Sequence, residues 1–277
     1  MLLILLVEIV PMIGVLWLSF TSYNPLDAVS LFHFVGLDNY ARLVTDSQFW
    51  HSLWNTIFFG LMYVPIAVFG ALLAAILLNQ KIRGRSFIRG VFFLPVILSW
   101  VVAATMMAWF LDPTSGLASI LSQKLGFGQL PYLLQDESTA MPTIAFLAIW
   151  KYFGYNTVIY LAGLQAVDFT LDEAAMVDGA NAVQRFWYVT VPGIRGTTAI
   201  VLMLNLIQAL RVFDPMMIMT SGGPNFSTTS TVLYFYRTAW DSMQFGYGSA
   251  ITVALSIVIF AVAGFQFWFF DRRAIQS

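Results

Sequence analysis

Residues 53–79 read LWNTIFFGLMYVPIAVFGALLAAILLN, a run without one Asp, Glu, Lys or Arg. A helix needs about 20 mostly apolar residues to cross a hydrocarbon layer of about 30 Å, and this run is longer than that. Working outward, segments of the same character lie at 1–20, 87–111, 140–164, 197–220 and 249–270. Composition agrees: 59% of the 277 residues are hydrophobic and 10% are charged, against about 25% charged in soluble domains. The expectation is an all-α, polytopic membrane protein of six transmembrane helices, built as one transmembrane domain over residues 1–277.

Residues 1–20 lack the charged start and small-residue cleavage site of a signal peptide and read as the first span. They carry no basic tail, which leaves room for an N-terminal extension. Basic residues set the orientation. Lys81, Arg83, Arg85, Arg89, Arg185, Arg195, Arg272 and Arg273 fall on one side, and only Arg42, Lys124 and Arg237 on the other. Both termini are therefore expected in the cytoplasm. Residues 34–50 mix Gly36, Asn39 and Tyr40 with Phe49 and Trp50. Two readings fit: an amphipathic interfacial helix and an aromatic belt at the start of a span.

Net charge is −1 and the pI is about 6.1, which gives nucleic acid no basic surface to bind. There is no cysteine, so thiolate chemistry and Cys-based metal sites are excluded. His33 and His51 have no second ligand at metal spacing, and no metal site is expected. No paired carboxylates or Ser/His/Asp set lies in a plausible pocket, and no enzymatic activity is expected of this chain.

The connection between the fourth and fifth spans, about 165–196, holds the densest local signals. Thr170 and Glu173 stand at capping-box spacing, which predicts a helix from Leu171. Asp172 and Glu173 then sit in its first turn, where the helix dipole favours them. Gly179 is placed to end that helix in a left-handed conformation. Asn181 can cap a second helix, expected to stop before Pro192. The result is an elbow that projects from the membrane with Ala174, Ala175 and Met176 exposed for docking.

Glu173-Ala174-Ala175, Asp178-Gly179-Ala180, Phe186 and Val191-Pro192 together resemble the signature loop of permease subunits from binding-protein-dependent ABC importers. Val189-Thr190-Val191-Pro192 stands where that family has Ile-x-Leu-Pro. Gly36-Leu37-Asp38-Asn39-Tyr40, Asn55-Thr56, Phe92-Phe93-Leu94-Pro95, Gly222-Gly223-Pro224 with Ser230-Thr231, and Phe245-Gly246-Tyr247-Gly248-Ser249-Ala250 are similar to the carbohydrate-type permeases of maltose, trehalose or glycerol-phosphate importers.

The resemblance implies a multi-pass protein of the bacterial inner membrane that forms half of a sugar translocation pathway. It makes the elbow a cytoplasmic coupling helix, with Glu173, Ala174, Ala175, Met176, Asp178, Gly179, Asn181 and Pro192 as its coupling residues. It also implies two ATPase subunits, a second homologous permease and an extracytoplasmic solute-binding protein. The sequence has no Gly-x-x-x-x-Gly-Lys-Ser/Thr loop, so ATP and Mg belong to the partners and no cofactor to this chain.

Polar residues inside spans face the bundle interior or a water-filled cavity. Tyr152, Tyr155, Asn156 and Ile159 share one face of the fourth span, with Trp150 and Lys151 beside them. Asn205, Gln208 and Arg211 make a stripe on the fifth, with Val212 alongside. Aromatic faces with amide and hydroxyl partners suit a sugar, and the resemblance places the solute on these two helices. Lys151 and Arg211 leave room for an anionic solute. Asn and Gln also join membrane helices with no ligand involved, Arg211 also has Asp214 within pairing distance along the chain, and Pro215 also suits a plain kink. The alternative function is a self-contained, ion-coupled secondary transporter, for which only Asp214, Lys151 and Glu8 are near-central titratable residues.

Overall fold

The structure, a computed structural model, describes residues 5–25, 32–80 and 83–271. Lys81, Arg272 and Arg273, which enter the charge count, lie outside the described residues. A wide helical turn Leu5–Ile9 leads into α1 (Val10–Leu18). There follow α2 (Asp38–Thr45), α3 (Ser47–Asn79), α4 (Arg85–Ile97), α5 (Trp100–Phe110), α6 (Leu117–Lys124), α7 (Glu137–Gln165), α8 (Phe169–Val177) and α9 (Ala182–Arg185). A wide turn Phe186–Thr190 and a short turn Val191–Gly193 lead to α10 (Arg195–Leu210), α11 (Asp214–Thr220), α12 (Thr231–Tyr236) and α13 (Phe245–Asp271). Among the described residues the one extended pairing is an isolated bridge between Thr21 and Phe34. The protein is an all-helical, polytopic membrane protein.

Ser47–Asn79 and Phe245–Phe270 are each long and apolar enough to cross a bilayer unaided. Two further candidate spans are each a pair of helices that is long and apolar enough only when taken together, and each pair is bent. The segment expected as one span over 87–111 is two helices, α4 and α5, meeting at 99°. Leu98 and Ser99 are extended there, and the Ser99 hydroxyl caps α5 by accepting from the Val102 amide at 3.2 Å. Ala182–Gly193 likewise meets α10 at 67°, and the expected span 197–220 is interrupted at Arg211–Phe213, between α10 and α11. The 140–164 span lies within the 29-residue α7, long enough to cross but less apolar than α3 and α13. In the first segment the apolar helix among the described residues covers Leu6–Leu18.

The interior is organised around α3 packed on α7. Ala67, Ala71 and Ala75 recur every four residues of α3 and are fully buried, the small-residue stripe that lets membrane helices approach closely. Phe59, Tyr63, Ile144, Leu147 and Tyr160 complete the same core. Most of the other large apolar side chains, such as Leu73, Phe146 and Phe260, face outward, as expected of a chain solvated by lipid.

Two ends of the bundle differ. At one, α2 docks through Leu43 against Phe49, Tyr247 and Ile251. This helix is the element that residues 34–50 contain. Asp46 ties the end together, accepting from the Tyr234 and Tyr247 hydroxyls, both at 2.5 Å, and from the Gln48 and Phe49 amides. Arg42 lies over the Tyr247 ring. The connection between α5 and α7 contains α6 and meets Ser221 at this same end. The opposite end carries the elbow, Asn79 and Gln80, and Arg195 donating to the Phe270 carbonyl.

Candidate functional site

The elbow is fixed by local hydrogen bonds. Its first helix starts at Phe169, not at Leu171, because Asp168 caps it by accepting from the Thr170 amide at 2.9 Å. That backbone bond, with the Thr170 hydroxyl, holds the Asp168 carboxyl below the usual carboxylate range. Thr170 and Glu173 therefore form no capping box. Gly179, at φ +81°, ends the helix. Its amide donates to the Met176 carbonyl and that of Ala180 to Ala175, which together make a Schellman motif. Asn181 and Gln184 do form a capping box, with bonds of 2.9 and 2.8 Å. The Arg185 guanidinium then reaches the Asp172 carboxylate at 2.9 Å, joining the two arms.

Pro192 does not stop the second arm. The wide turn Phe186–Thr190 precedes it, and Pro192 falls in the first turn of Val191–Gly193, where a missing N–H leaves nothing unpaired. Glu173, Ala174, Asp178 and Asn181 are exposed, while Ala175 is half-buried. Met176 is exposed as expected. Sequence reasoning missed the larger part of the apolar surface: Leu171, Val177, Val183, Trp187 and Tyr188 are all exposed, Val177 at 87% and Tyr188 at 80%. Alternating bulky apolar residues in a polar loop were the available signal.

A cavity of about 300 Å³ opens between α3, α7, α10 and the start of α5. Of the residues singled out from sequence, Tyr152, Gln208, Arg211 and Val212 line it. Trp150 is exposed elsewhere and Tyr155 is half-buried outside the lining. Asn156 and Asn205 are buried below it and spend their amides on each other, through two bonds of 3.1 Å. Asn205 also accepts from the Tyr63 hydroxyl at 2.5 Å and donates to the Val201 carbonyl. These two are helix-joining residues in this structure.

Lys151 is 3% exposed and does not reach the cavity. Its ammonium donates to the carbonyls of Pro95, at 3.2 Å, and of Leu98. Arg211 and Asp214 both line the cavity but make no ion pair, since Arg185–Asp172 is the one salt bridge among the described residues. Pro215 sits in the first turn of α11 and starts a helix after the break rather than kinking a continuous one. Phe59, Tyr63, Trp100 and Phe213 complete the wall. Phe59, Tyr63 and Trp100 escaped sequence reading because they come from two other segments, α3 and α5, and Phe213 lies in the break after α10. Glu8 is exposed, and no group of three His, Cys, Asp or Glu side chains that could hold a metal gathers among the described residues.

Residues 47–275 match the family described as binding-protein-dependent transport system inner membrane component. A probable ABC transporter permease protein of Pyrococcus horikoshii is 34% identical over 270 residues, covering 96% of this chain and 92% of the relative. The trehalose/maltose transport system permease protein of Thermococcus litoralis is 30% identical over 256 residues, covering 92% and 85%. Among solved structures, a chain of a bacterial ABC transporter involved in the import of the acidic polysaccharide alginate superposes with a TM-score of 0.82. Its identity is 24%, over 98% of this chain and 92% of that one, and the likeness fixes the shared fold.

Proposed function

This chain belongs to the binding-protein-dependent transport system inner membrane components, the multi-pass permeases of ABC importers, and we propose that it forms half of the translocation pathway for a sugar or sugar-like solute. It crosses the membrane six times as one domain over 1–277: residues 1–20, α3, α4 with α5, α7, α10 with α11, and α13. The elbow and both termini lie in the cytoplasm. In support, Arg83, Arg185 and Arg195 are at the elbow end of the bundle and Arg42 and Arg237 at the other, the asymmetry expected of inner and outer faces.

The observation that carries the mechanism is continuity. The elbow is the direct extension of α7, which brings Tyr152 to the cavity, and leads into α10, which brings Gln208. From Tyr152 to the end of α7 is about 20 Å at 1.5 Å per residue. The exposed Leu171, Met176 and Val177 give a partner ATPase an apolar surface to grip. Closure of two such ATPases moves the elbow as a unit, and two stiff helices carry that displacement to the cavity walls, in a rigid-body switch between two states. Glu173, Ala174, Asp178 and Asn181 form the exposed polar and small rim of that contact. A second homologous permease completes the pathway and an extracytoplasmic binding protein delivers solute. ATP and Mg are bound by the ATPases.

The cavity favours an uncharged sugar. Trp100, Tyr152 and Phe59 supply faces for C–H groups, and Gln208, Arg211 and Asp214 supply hydrogen-bond partners. Arg211 and Asp214 offset one another in charge, while the Lys151 ammonium is engaged elsewhere. The trehalose/maltose relative supports the same solute class. Reconstitution with ATPases, second permease and binding protein tests the assignment. Solute-loaded binding protein should stimulate ATP hydrolysis, and Glu173→Lys and Gly179→Pro should abolish that stimulation. Normal stimulation in both variants would sink the role of the elbow.

A further inference from the structure

The bend between α4 and α5 packs against Lys151, midway along the 29-residue α7, and at membrane depth a backbone carbonyl without a donor is expensive. A helix that ends there leaves its last carbonyls open. Pro95, in the last turn of α4, has no N–H of its own to donate backward. The Leu98 amide folds back onto the Pro95 carbonyl at 3.3 Å, leaving the Leu98 carbonyl and the second lone pair of Pro95 open. Both are taken by one group, the Lys151 ammonium.

The approach is built into α7. Gly154 stands one turn from Lys151 on the same face, and a Cβ there would lie 1.9 Å from the Phe92 carbonyl oxygen. Only a glycine lets the α4 backbone come close enough for the Lys151 ammonium to reach its carbonyls. A buried lysine in a membrane bundle is costly unless it is paired or engages backbone carbonyls. Lys151 forms no salt bridge, and its ammonium lies 5.3 Å from the centre of the Trp100 ring and 5.9 Å from that of Tyr152. Trp100 is the first residue of α5, meets Tyr152 edge-on at 5.7 Å, and walls the cavity with it.

We propose that Lys151 is a positioning residue: it clamps the two carbonyls exposed where α4 turns into α5, and thereby sets the angle at which Trp100 faces the cavity. The clamp stands on the geometry alone, and its consequence for solute rests on the reading of the cavity given above. The ammonium replaces the hydrogen bonds that a straight helix would have made within itself. With the clamp removed, α4 and α5 straighten toward one helix to recover those bonds, or sample several angles.

The chain has no cysteine, so thiols introduced at exposed Phe87 and Met106, on either side of the bend, report its angle by spin-label distances. The measurement is made in the complete transporter, with the partners' cysteines replaced. Lys151→Met should lengthen or broaden the distance distribution. Lys151→Arg, which keeps the charge and donors, should hold it near wild type, and Trp100→Ala should leave it unchanged. An unaltered distribution in Lys151→Met overturns the clamp, as does a broadening in Lys151→Arg equal to that in Lys151→Met. Import kinetics separate the second claim. Lys151→Met and Trp100→Ala should each raise the KM for maltose or trehalose, whichever is imported, by up to about tenfold, the worth of one displaced aromatic face. A relaxed bend with unchanged KM in both variants would retain the clamp and discard the cavity as the solute site.

Discussion

Arg185 and Asp172 meet at 2.9 Å across the elbow, with no covalent reason for its two arms to hold one angle. Both side chains are partly exposed, at 24% and 37%, and exposed pairs contribute only about 0–1 kcal/mol. The pair therefore matters for stiffness more than for stability. Arg185→Ala and Asp172→Ala should shift the thermal midpoint of the complex little, yet raise the number of ATP molecules hydrolysed per solute imported. The exchanged double variant, Asp172→Arg with Arg185→Asp, should recover part of the coupling. Equal coupling in wild type and both single variants would show that the arms need no tie.

Gly179 supplies the turn itself. Its φ of +81° costs an L-residue with a Cβ roughly 1–2 kcal/mol, and no neighbour lies within 4 Å to add a steric term. Gly179→Ala should weaken coupled ATP hydrolysis partially, Gly179→Asn less, since Asn tolerates the left-handed region, and Gly179→Pro completely. A ranking with Asn worse than Ala would mean that backbone geometry is not what this position provides.

These elbow features were legible because each is local. The bonds of Gly179 to Met176, Ala180 to Ala175, and Asn181 with Gln184 each span at most five residues, and the rules of helix ends act over that distance. The same locality misled at Thr170, where Asp168 stood two residues earlier and captured the amide first. The bends were not legible. Residues 87–111 are apolar throughout their centre, so hydropathy reads them as one span. The hint was a pair, Pro95 and Lys151, separated by 56 residues. The cavity was legible to the extent that Tyr152, Gln208, Arg211 and Val212 sit on two recognisable helices. Phe59, Tyr63 and Trp100 reach it only through tertiary packing.

Asp46 predicts a pH dependence. Burial alone would raise its pKa, but hydrogen bonds from Tyr234, Tyr247 and the Phe49 and Gln48 amides outweigh it and hold the carboxyl below its ordinary value. A carboxylate with a lowered folded pKa stabilises the protein above its unfolded value, near 4, and that contribution is lost as pH falls through the folded value. Asp46→Ala should therefore lower the stability at pH 7 through the lost cap and unpaired hydroxyls, by about 1–3 kcal/mol, read as a lower thermal midpoint. The gap to wild type should narrow as pH drops below about 4. A gap that stays constant from pH 7 to pH 3 would assign the effect to packing instead of charge.

The last prediction separates residues that hold the bundle from those that meet the solute, which sequence spacing placed on one stripe. Asn205 has both amide hydrogens and its oxygen engaged, by Asn156, Val201 and Tyr63, whereas Gln208, one turn further, lines the cavity. Asn205→Ala strands Asn156 and the Tyr63 hydroxyl together, and should destabilise by about 0.6–2 kcal/mol, the range for polar contacts between membrane helices. Its solute KM should follow only if the Tyr63 ring moves. Gln208→Ala opens onto the cavity, removes no internal bond, and should raise KM about fivefold to tenfold with an unchanged thermal midpoint, as expected for one lost hydrogen bond of about 1 kcal/mol. Measuring midpoint and KM in both variants checks the division. If Gln208→Ala lowers stability as much as Asn205→Ala while leaving KM alone, the stripe is structural throughout and the solute passes elsewhere.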